Sequence, residues 1–384
     1  MIYFRALGIL LSLALLLLVF MDGFETILLP RRVTHRFRFA RFYYRNAWLL
    51  WSWIAVRLPS KRLREAFLSV FGPLSLLGLF SLWVAGLITG FALLHTSIGS
   101  PLHQTDAPIT FWTYVYLSGT TFFTLGYGDV TPAAPLGRAL AVAESGLGFA
   151  FLAVIVGYLP VLQQAFSRRE ATISMLDARA GSPPHGAEFL LRMAKTGRLA
   201  DVDTVLREWE LWSAELLESS LSFPVLMYYR SQHDNQSWLA ALATILDATA
   251  LLLTEVRGAN LYQAQLTFAM ARHAAVDLTL ILRTRPSSSV GERLTAEQRQ
   301  TIRDGLRAAG VDLRNESDRV CRLTELRGLY EPFLDALAQR FLFTLPPILP
   351  AATVVDNWQT SAWMRRTPGI GSLPGAANSD EHFD

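Results

Sequence analysis

Long apolar stretches collect in the first 170 residues of the chain. Three of them reach the roughly 20 residues that a helix needs to cross a bilayer, and they lie at positions 3–21, 66–94 and 139–162. The second stretch contains no Asp, Glu, Lys or Arg, and the third contains a single acid, Glu144. The pattern therefore predicts three membrane-spanning helices and an all-α membrane protein.

Two shorter features lie within and between these stretches. Residues 109–123 are apolar but too short to span, are rich in Thr, Tyr and Trp, and follow Pro108, which suits the first turn of a helix. They predict a short helix between the second and third spans. Gly86 and Gly90 have the spacing of a close helix-packing face.

Charge indicates the orientation of the chain. Residues 1–170 hold 14 basic and 7 acidic side chains, a net of +7, and residues 171–384 hold 21 and 25, a net of −4. Residues 30–64 contain nine Arg, one Lys and no acid, so the positive-inside rule places them in the cytoplasm. The N-terminus is then expected outside and the C-terminal part inside the cell. Residues 47–58, with three Trp, predict an interfacial anchor.

The first apolar stretch has two interpretations. A cleaved signal peptide has an apolar core of this kind, but no small-residue cleavage pattern follows residues 3–21. A retained helix is the favoured interpretation.

The C-terminal part has a helical pattern. Apolar residues recur at helical spacing from Val202 to Trp212, and Thr295 with Gln298 predicts a capping box. Residues 238–256 and 266–282 are apolar enough to be further spans, but charged residues interrupt them, which favours buried helices of a water-facing domain. A Pro-rich end predicts a disordered tail.

Several function classes are disfavoured. The net charge of +3 is too small for a strongly basic nucleic-acid binder, and Cys321 is the sole cysteine. The seven His have no metal-ligand spacing, and neither a nucleophilic triad nor a Gly-rich βαβ fingerprint is present. We expect neither an enzyme nor a bound cofactor, and we expect no nucleic-acid partner.

The motif that carries chemistry lies between the short helix and the third span. Positions 124–129 read Thr-Leu-Gly-Tyr-Gly-Asp. A dehydrated K⁺ needs a cage of oxygens, and consecutive carbonyls can supply it only where residues such as glycine leave the usual dihedral regions. The motif and the order of elements around it resemble the selectivity filter and two-helix pore of bacterial-type potassium channels.

The resemblance implies roles for the motif and its surroundings. By this resemblance, the carbonyls of Thr124, Leu125, Gly126 and Tyr127 bind the permeant K⁺. Gly128 completes the filter, and Asp129 lies at its mouth. One chain carries one filter and the family uses four, so a cyclic homotetramer in the lipid bilayer is implied. Many relatives carry a carboxylate at the position of Thr120, so how Asp129 is held is an open question.

Three residues of the third span are further candidates. Gly148 falls where the family has its inner-helix hinge, with close packing as the alternative. Pro160 marks either the gate or an ordinary helix end. Glu144 is an ionisable residue within a span. It either faces the cavity or bonds hydroxyls such as those of Thr120 or Thr121, and we favour the hydroxyls.

These observations predict a multipass potassium channel of the cell membrane with six segments. They are an N-terminal transmembrane helix (1–29), a basic segment (30–65), the pore domain (66–166), a linker (167–186), an α-helical cytoplasmic domain (187–343) and a disordered tail (344–384). The helical domain is a candidate gate of the pore, and the sequence identifies no ligand for it. The alternatives are a poorly selective cation channel and a membrane-anchored signalling or scaffold protein with a vestigial pore.

Overall fold

A computed structural model describes residues 2–27, 39–104, 108–231, 236–257, 261–287, 293–314 and 319–350. These residues fall into two compact units. The first unit comprises the described residues up to Glu170 together with residues 215–231, and the second comprises residues 171–214 and the described residues from 236 onward. The chain therefore passes from one unit to the other three times.

Helices and one short β-pair build the first unit. The helices are α1 (Ile2–Ile27), α2 (Phe39–Ala55), α3 (Lys61–Ile98), α4 (Phe111–Phe122) and α5 (Pro135–Ala180), the last of which continues into the second unit. Strand β1 (Leu102–His103) pairs antiparallel with β2 (Thr131–Pro132). Helices α1, α3 and α5 are long and apolar enough to cross a membrane. The protein is an all-α membrane protein, as the apolar pattern predicts.

Helix α1 packs on the glycine face of α3. A Cβ atom on Gly86 would lie 2.9 Å from Val19, and one on Gly90 would lie 2.7 Å from Leu16. Both distances are shorter than van der Waals contact, so the two helices approach this closely only because the side chains are absent. The predicted packing face is confirmed.

A buried carboxylate on α1 ties three helices together. Asp22 accepts a hydrogen bond from the backbone N–H of Ala40, at 3.0 Å, in the first turn of α2. It also accepts one from Trp83 Nε1 on α3, at 2.9 Å. The carboxylate thus satisfies a free N–H at the start of α2, where negative charge is favoured.

The second unit is a helical domain built around one buried helix. Its elements are α6 (Gly186–Lys195), the first part of α7 (Val202–Ser222), α8 (Trp238–Glu255), α9 (Tyr262–Ile281), α10 (Ala296–Ala308), α11 (Arg319–Gly328) and α12 (Glu331–Phe341). The predicted capping box is present at the start of α10, where Thr295 and Gln298 bond each other's backbone N–H groups.

Helix α8 is also long and apolar enough to span a membrane, yet it is enclosed by the protein. Its two acids are buried in ion pairs. Asp247 pairs with Arg293 at 2.7 Å, and Glu255 pairs with Arg299 at 2.7 Å and with Arg303. Buried charges need such partners. The arrangement fits the favoured interpretation of a buried helix.

Two predicted boundaries differ from the structure. The predicted linker 167–186 is helical as far as Ala180, because Ile173, Leu176 and Ala180 have helical spacing and are fully buried. The predicted tail from 344 is ordered over its first residues. The carbonyl of Pro346 accepts from Arg293, and the carbonyl of Ile348 accepts from Ala187. Residues 351–384 of that predicted tail lie outside the described residues.

Candidate functional site

The short helix α4 delivers the chain to the filter motif. It begins after Thr110, whose backbone N–H donates to the hydroxyl of Thr113 at 3.1 Å. In the same unit, the Tyr114 phenol donates to the carbonyl of Ser100 at 2.8 Å. Helix α4 is therefore fixed at its start and along one face, close to the predicted bounds of 109–123.

The end of α4 is a Schellman motif that overlaps the first residues of the filter motif. The N–H of Leu125 donates to the carbonyl of Thr120 at 2.8 Å, and the N–H of Thr124 donates to that of Thr121 at 3.0 Å. This pairing needs a residue in the left-handed region at the position after the helix cap. Thr124 occupies that position with φ of 55°, although glycine is the usual choice there.

The backbone alternates in handedness through the motif. Thr124, Gly126 and Gly128 have φ values of 55°, 57° and 82°, whereas Leu125 and Tyr127 between them keep negative φ. In a strand of uniform dihedrals, successive carbonyls point to opposite sides. Reversing the handedness at every second residue turns every second peptide over, so successive carbonyls can face one side. The two glycines supply this conformation with little steric cost.

A tyrosine on α4 bonds the aspartate at the end of the filter motif. The Tyr116 phenol donates to Asp129 Oδ2 at 2.8 Å. Thr120, at the position where many relatives carry a carboxylate, instead donates to the carbonyls of Tyr116 and Leu117 in its own helix, at 3.1 and 2.9 Å. Tyr116 was not among the predicted site residues, and its distance of 13 positions from Asp129 gives no local signal.

The segment after the filter is anchored to the end of α3. Strand β2 pairs with β1, and the N–H of Ala133 donates to the carbonyl of Pro101 at 2.8 Å. Arg138 Nε donates to the carbonyl of Pro132 at 3.2 Å. The Thr-Leu-Gly-Tyr-Gly-Asp motif is thus held between α4 on one side and a β-pair on the other.

Gly148 lies against the last turn of α4. A Cβ atom there would come within 3.0 Å of the Phe122 carbonyl oxygen and lie 3.1 Å from its carbon. Of the two predicted roles, this contact supports close packing, because it explains the glycine without a bend. A hinge at Gly148 stays a prediction.

Glu144 is fully buried within its own chain. The Ser118 hydroxyl of α4 lies near the carboxylate but makes no well-aligned hydrogen bond to it, and neither group has another partner among the described residues. The structure therefore buries Glu144 beside α4 rather than on an exposed surface. Of the two hydroxyls expected to bond it, that of Thr120 is bound to its own helix.

Pro160 is exposed and lies inside α5, which continues to Ala180. The alternative of an ordinary helix end is therefore wrong, because the helix runs on for 20 residues. The gate at this position stays a prediction.

A segment far along the chain packs on α5 in the first unit, between Tyr158 and Arg169. We call residues 223–230 the return segment. The ring of Phe223 lies 5.3 Å from that of Tyr158, and the ring of Tyr229 lies 5.4 Å from that of Phe166. No motif in the sequence predicted this packing.

Buried Arg169 joins α5 to the return segment. Its guanidinium donates to the carbonyl of Leu226 at 2.8 Å and to that of Tyr229 at 3.2 Å. It also forms an ion pair with Glu170 at 3.0 Å. Next to it, Arg230 of the return segment pairs with Glu65 of α3 at 3.2 Å. The return segment is thus tied to both α5 and α3.

Comparison with known proteins agrees with this architecture. Residues 79–162, from the middle of α3 to beyond Pro160, match the family model described as an ion channel. This match agrees with the all-α membrane fold and supports an ion channel function.

The curated relatives add a membrane location. The chain is 27% identical over 205 residues to the uncharacterized membrane protein YdjJ of Bacillus subtilis (strain 168), covering 52% of this chain and 58% of that protein. It is 36% identical over 84 residues to protein LctB of Geobacillus stearothermophilus, covering 19% of this chain and 62% of that protein. The chain spans less than two thirds of each of these relatives. No solved structure matches it.

Proposed function

We propose that the protein is a potassium channel that conducts K⁺ passively and selectively through a pore formed by four copies of the chain. The observation that carries this proposal is the alternating backbone handedness of residues 124–128. The ion channel match supports conduction, and the Thr-Leu-Gly-Tyr-Gly-Asp sequence supports K⁺ as the ion.

The chemistry follows from the carbonyls of the motif. Four rings of oxygens, from Thr124, Leu125, Gly126 and Tyr127, replace the water shell of the ion. Because the chain supplies the oxygens as backbone groups, the selectivity depends on the dihedral angles rather than on side-chain charge. The Thr124 hydroxyl adds oxygen ligands at the end nearest α4.

An uncovered apolar stripe supports assembly around the filter. Val142, Phe149 and Val156 are spaced by seven residues, lie on one face of α5, and are 69–75% exposed. Leu125 and Tyr127 of the filter are also exposed, at 52% and 69%. Further copies of the chain, arranged about a central axis, would cover these side chains and close the oxygen rings.

The test is reconstitution of the full chain in liposomes. With opposed K⁺ and Na⁺ gradients, we expect the reversal potential to follow the K⁺ gradient. Gly128→Ala, at a φ of 82°, should abolish K⁺ selectivity, whereas Gly146→Ala in α5, which meets nothing within 4 Å, should keep it. A reversal potential that ignores the K⁺ gradient indicates a poorly selective cation channel. No conductance at all indicates a scaffold with a vestigial pore.

We further propose that the second unit gates the pore through the return segment. Helix α5 enters the second unit after Glu170, and α7 leaves that unit before residue 215 and leads into the return segment. We infer that the second unit lies in the cytoplasm, because the positive charge of residues 30–64 favours a cytoplasmic loop.

Arg169→Gln tests this gating route. The variant loses the charged hydrogen bonds to the return segment, and we expect a changed open probability with unchanged ion selectivity, because the filter contacts stay intact. Arg207→Gln is the matched control, since the Arg207 side chain is exposed and forms no ion pair among the described residues. Equal open probabilities for the two variants would contradict the proposed route.

A further inference from the structure

The turn between α2 and α3 carries cations that no acidic side chain of the described residues neutralises. We define the elbow surface as Trp53, Arg57, Lys61 and Arg62. We propose that this surface binds the headgroups of anionic phospholipids. The inference concerns a partner of the first unit and does not depend on which ion the filter conducts.

The charge of the elbow surface is uncompensated. Residues 39–64 contain no acid, and Glu65, which follows them, pairs with Arg230 at 3.2 Å. Among the described residues, no acidic side chain lies within ion-pair distance of Lys61 or Arg62. Both lie in the first turn of α3, and that turn contains no acid. The positive end of the helix dipole disfavours cations there, so a bound anion would relieve two repulsions at once.

The geometry fits the boundary between lipid tails and headgroups. The Arg57 guanidinium lies 3.6 Å from the centre of the Trp53 ring and donates to the Trp53 carbonyl at 2.7 Å. Trp53 is 57% exposed, and Leu49 and Leu50 beside it on α2 are exposed as well. Tryptophan occupies the headgroup level of membranes, and a cation stacked on it is held at the same depth.

The position in the fold favours lipid over a soluble anion. The opposite face of α2 is occupied, since Trp48 is buried and its ring lies 4.9 Å from that of Phe71 on α3. The exposed face therefore combines apolar side chains with neighbouring cations, the pattern of an interfacial helix. Lys61 lies five residues, about 7.5 Å along the helix, before the apolar run that starts at residue 66. A phosphate at Lys61 is thus at headgroup distance from that run.

The test measures lipid preference of the purified full chain in detergent. Binding of fluorescent phosphatidylglycerol is compared with that of phosphatidylcholine carrying the same acyl chains. Each basic residue near an anionic surface strengthens binding about fivefold, so three cations should give roughly a 100-fold preference for phosphatidylglycerol. The triple variant Arg57→Gln, Lys61→Gln, Arg62→Gln should reduce this preference at least tenfold.

The matched control removes three cations from the second unit, with Lys195→Gln, Arg207→Gln and Arg285→Gln, all of them exposed. It should keep the preference. Three results would each overturn the proposal. The wild type could bind both lipids equally, the triple variant could keep the preference for phosphatidylglycerol, or the control could lose that preference. Displacement of the lipid by soluble glycerol phosphate would also overturn it, because the site would then be an anion site.

A second measurement tests the proposal on the wild type alone, in case the triple variant fails to fold. Raising the salt from 0.1 to 1 M shortens the screening length from about 10 to 3 Å. In the wild type, this should remove most of the preference for phosphatidylglycerol. A preference that is unchanged at 1 M salt would show that the elbow charges do not cause it.

Discussion

Replacing Gly148 by alanine separates a packing glycine from a hinge glycine. The new Cβ atom would lie closer than 3.0 Å to the Phe122 carbonyl oxygen and 3.1 Å from the Phe122 carbonyl carbon. Both atoms are backbone, so no side chain can rotate away. Either α5 or the last turn of α4 must shift, and Thr124 lies only two residues further along.

The magnitude follows from the cost of overpacking. An added methyl group in a closely packed interior typically costs about 1–3 kcal/mol. Helix propensity returns up to about 1 kcal/mol when glycine becomes alanine. We therefore expect a net loss of about 1–2 kcal/mol in the free energy of unfolding. Because the displaced turn carries the filter, the K⁺/Na⁺ permeability ratio should fall as well.

The assay combines thermal unfolding in detergent with reversal potentials in liposomes. Gly146→Ala is the control, because its Cβ atom would meet nothing within 4 Å. It should keep both the selectivity and the stability, or gain slightly in stability. If Gly148→Ala keeps its selectivity and stability and only its open probability falls, the packing argument is refuted and Gly148 is a hinge.

Two further predictions concern the filter mouth and the second unit. Tyr116→Phe removes the hydrogen bond to Asp129, worth about 1 kcal/mol at an exposed site, and should shorten conducting bursts about fivefold in single-channel records. Burial lowers the pKa of His185 from its ordinary value of 6.5. The unfolded chain therefore takes up this proton first as the pH falls below about 6.5, and the second unit loses stability there. His185→Gln should flatten this loss, as measured by unfolding at pH 7.5 and 5.5.

Each of these two predictions has a contradicting result. Bursts of unchanged length in Tyr116→Phe would mean that Asp129 is held by other contacts, and Tyr114→Phe, which removes a bond away from the filter, serves as its control. An equally steep pH dependence in His185→Gln would mean that other buried groups of the second unit cause the acid sensitivity.

Local patterns were sufficient for the membrane part. The length of the apolar stretches predicted α1, α3 and α5. The two glycines of the motif predicted a departure from the usual dihedral regions, and both Gly126 and Gly128 have positive φ. These features depend only on neighbouring residues and on the thickness of the bilayer, so they can be predicted from short stretches of sequence. The positive φ of Thr124 was not predicted, because it results from the end of α4 rather than from the residue type.

Long-range contacts could not be predicted in the same way. Arg169 gave no signal, because its partner carbonyls belong to residues 57 and 60 positions later. The order of residues 344–350 likewise depends on Arg293 and Ala187, which lie far away in the chain. The helical continuation of α5 did have a signal in the spacing of Ile173, Leu176 and Ala180, but the charged residues around them obscured it.

The interleaving of the two units has a consequence for biosynthesis. Residues 223–230 cover the part of α5 that contains Phe166 and Arg169. These covering residues are translated after residues 171–214 of the second unit. During synthesis, the three spanning helices can enter the membrane while Phe166 and Arg169 still lack their partners. The first unit therefore completes its packing only when more than half of the chain has left the ribosome. A chain shortened after Glu170 would be an unfinished pore unit rather than an ungated one.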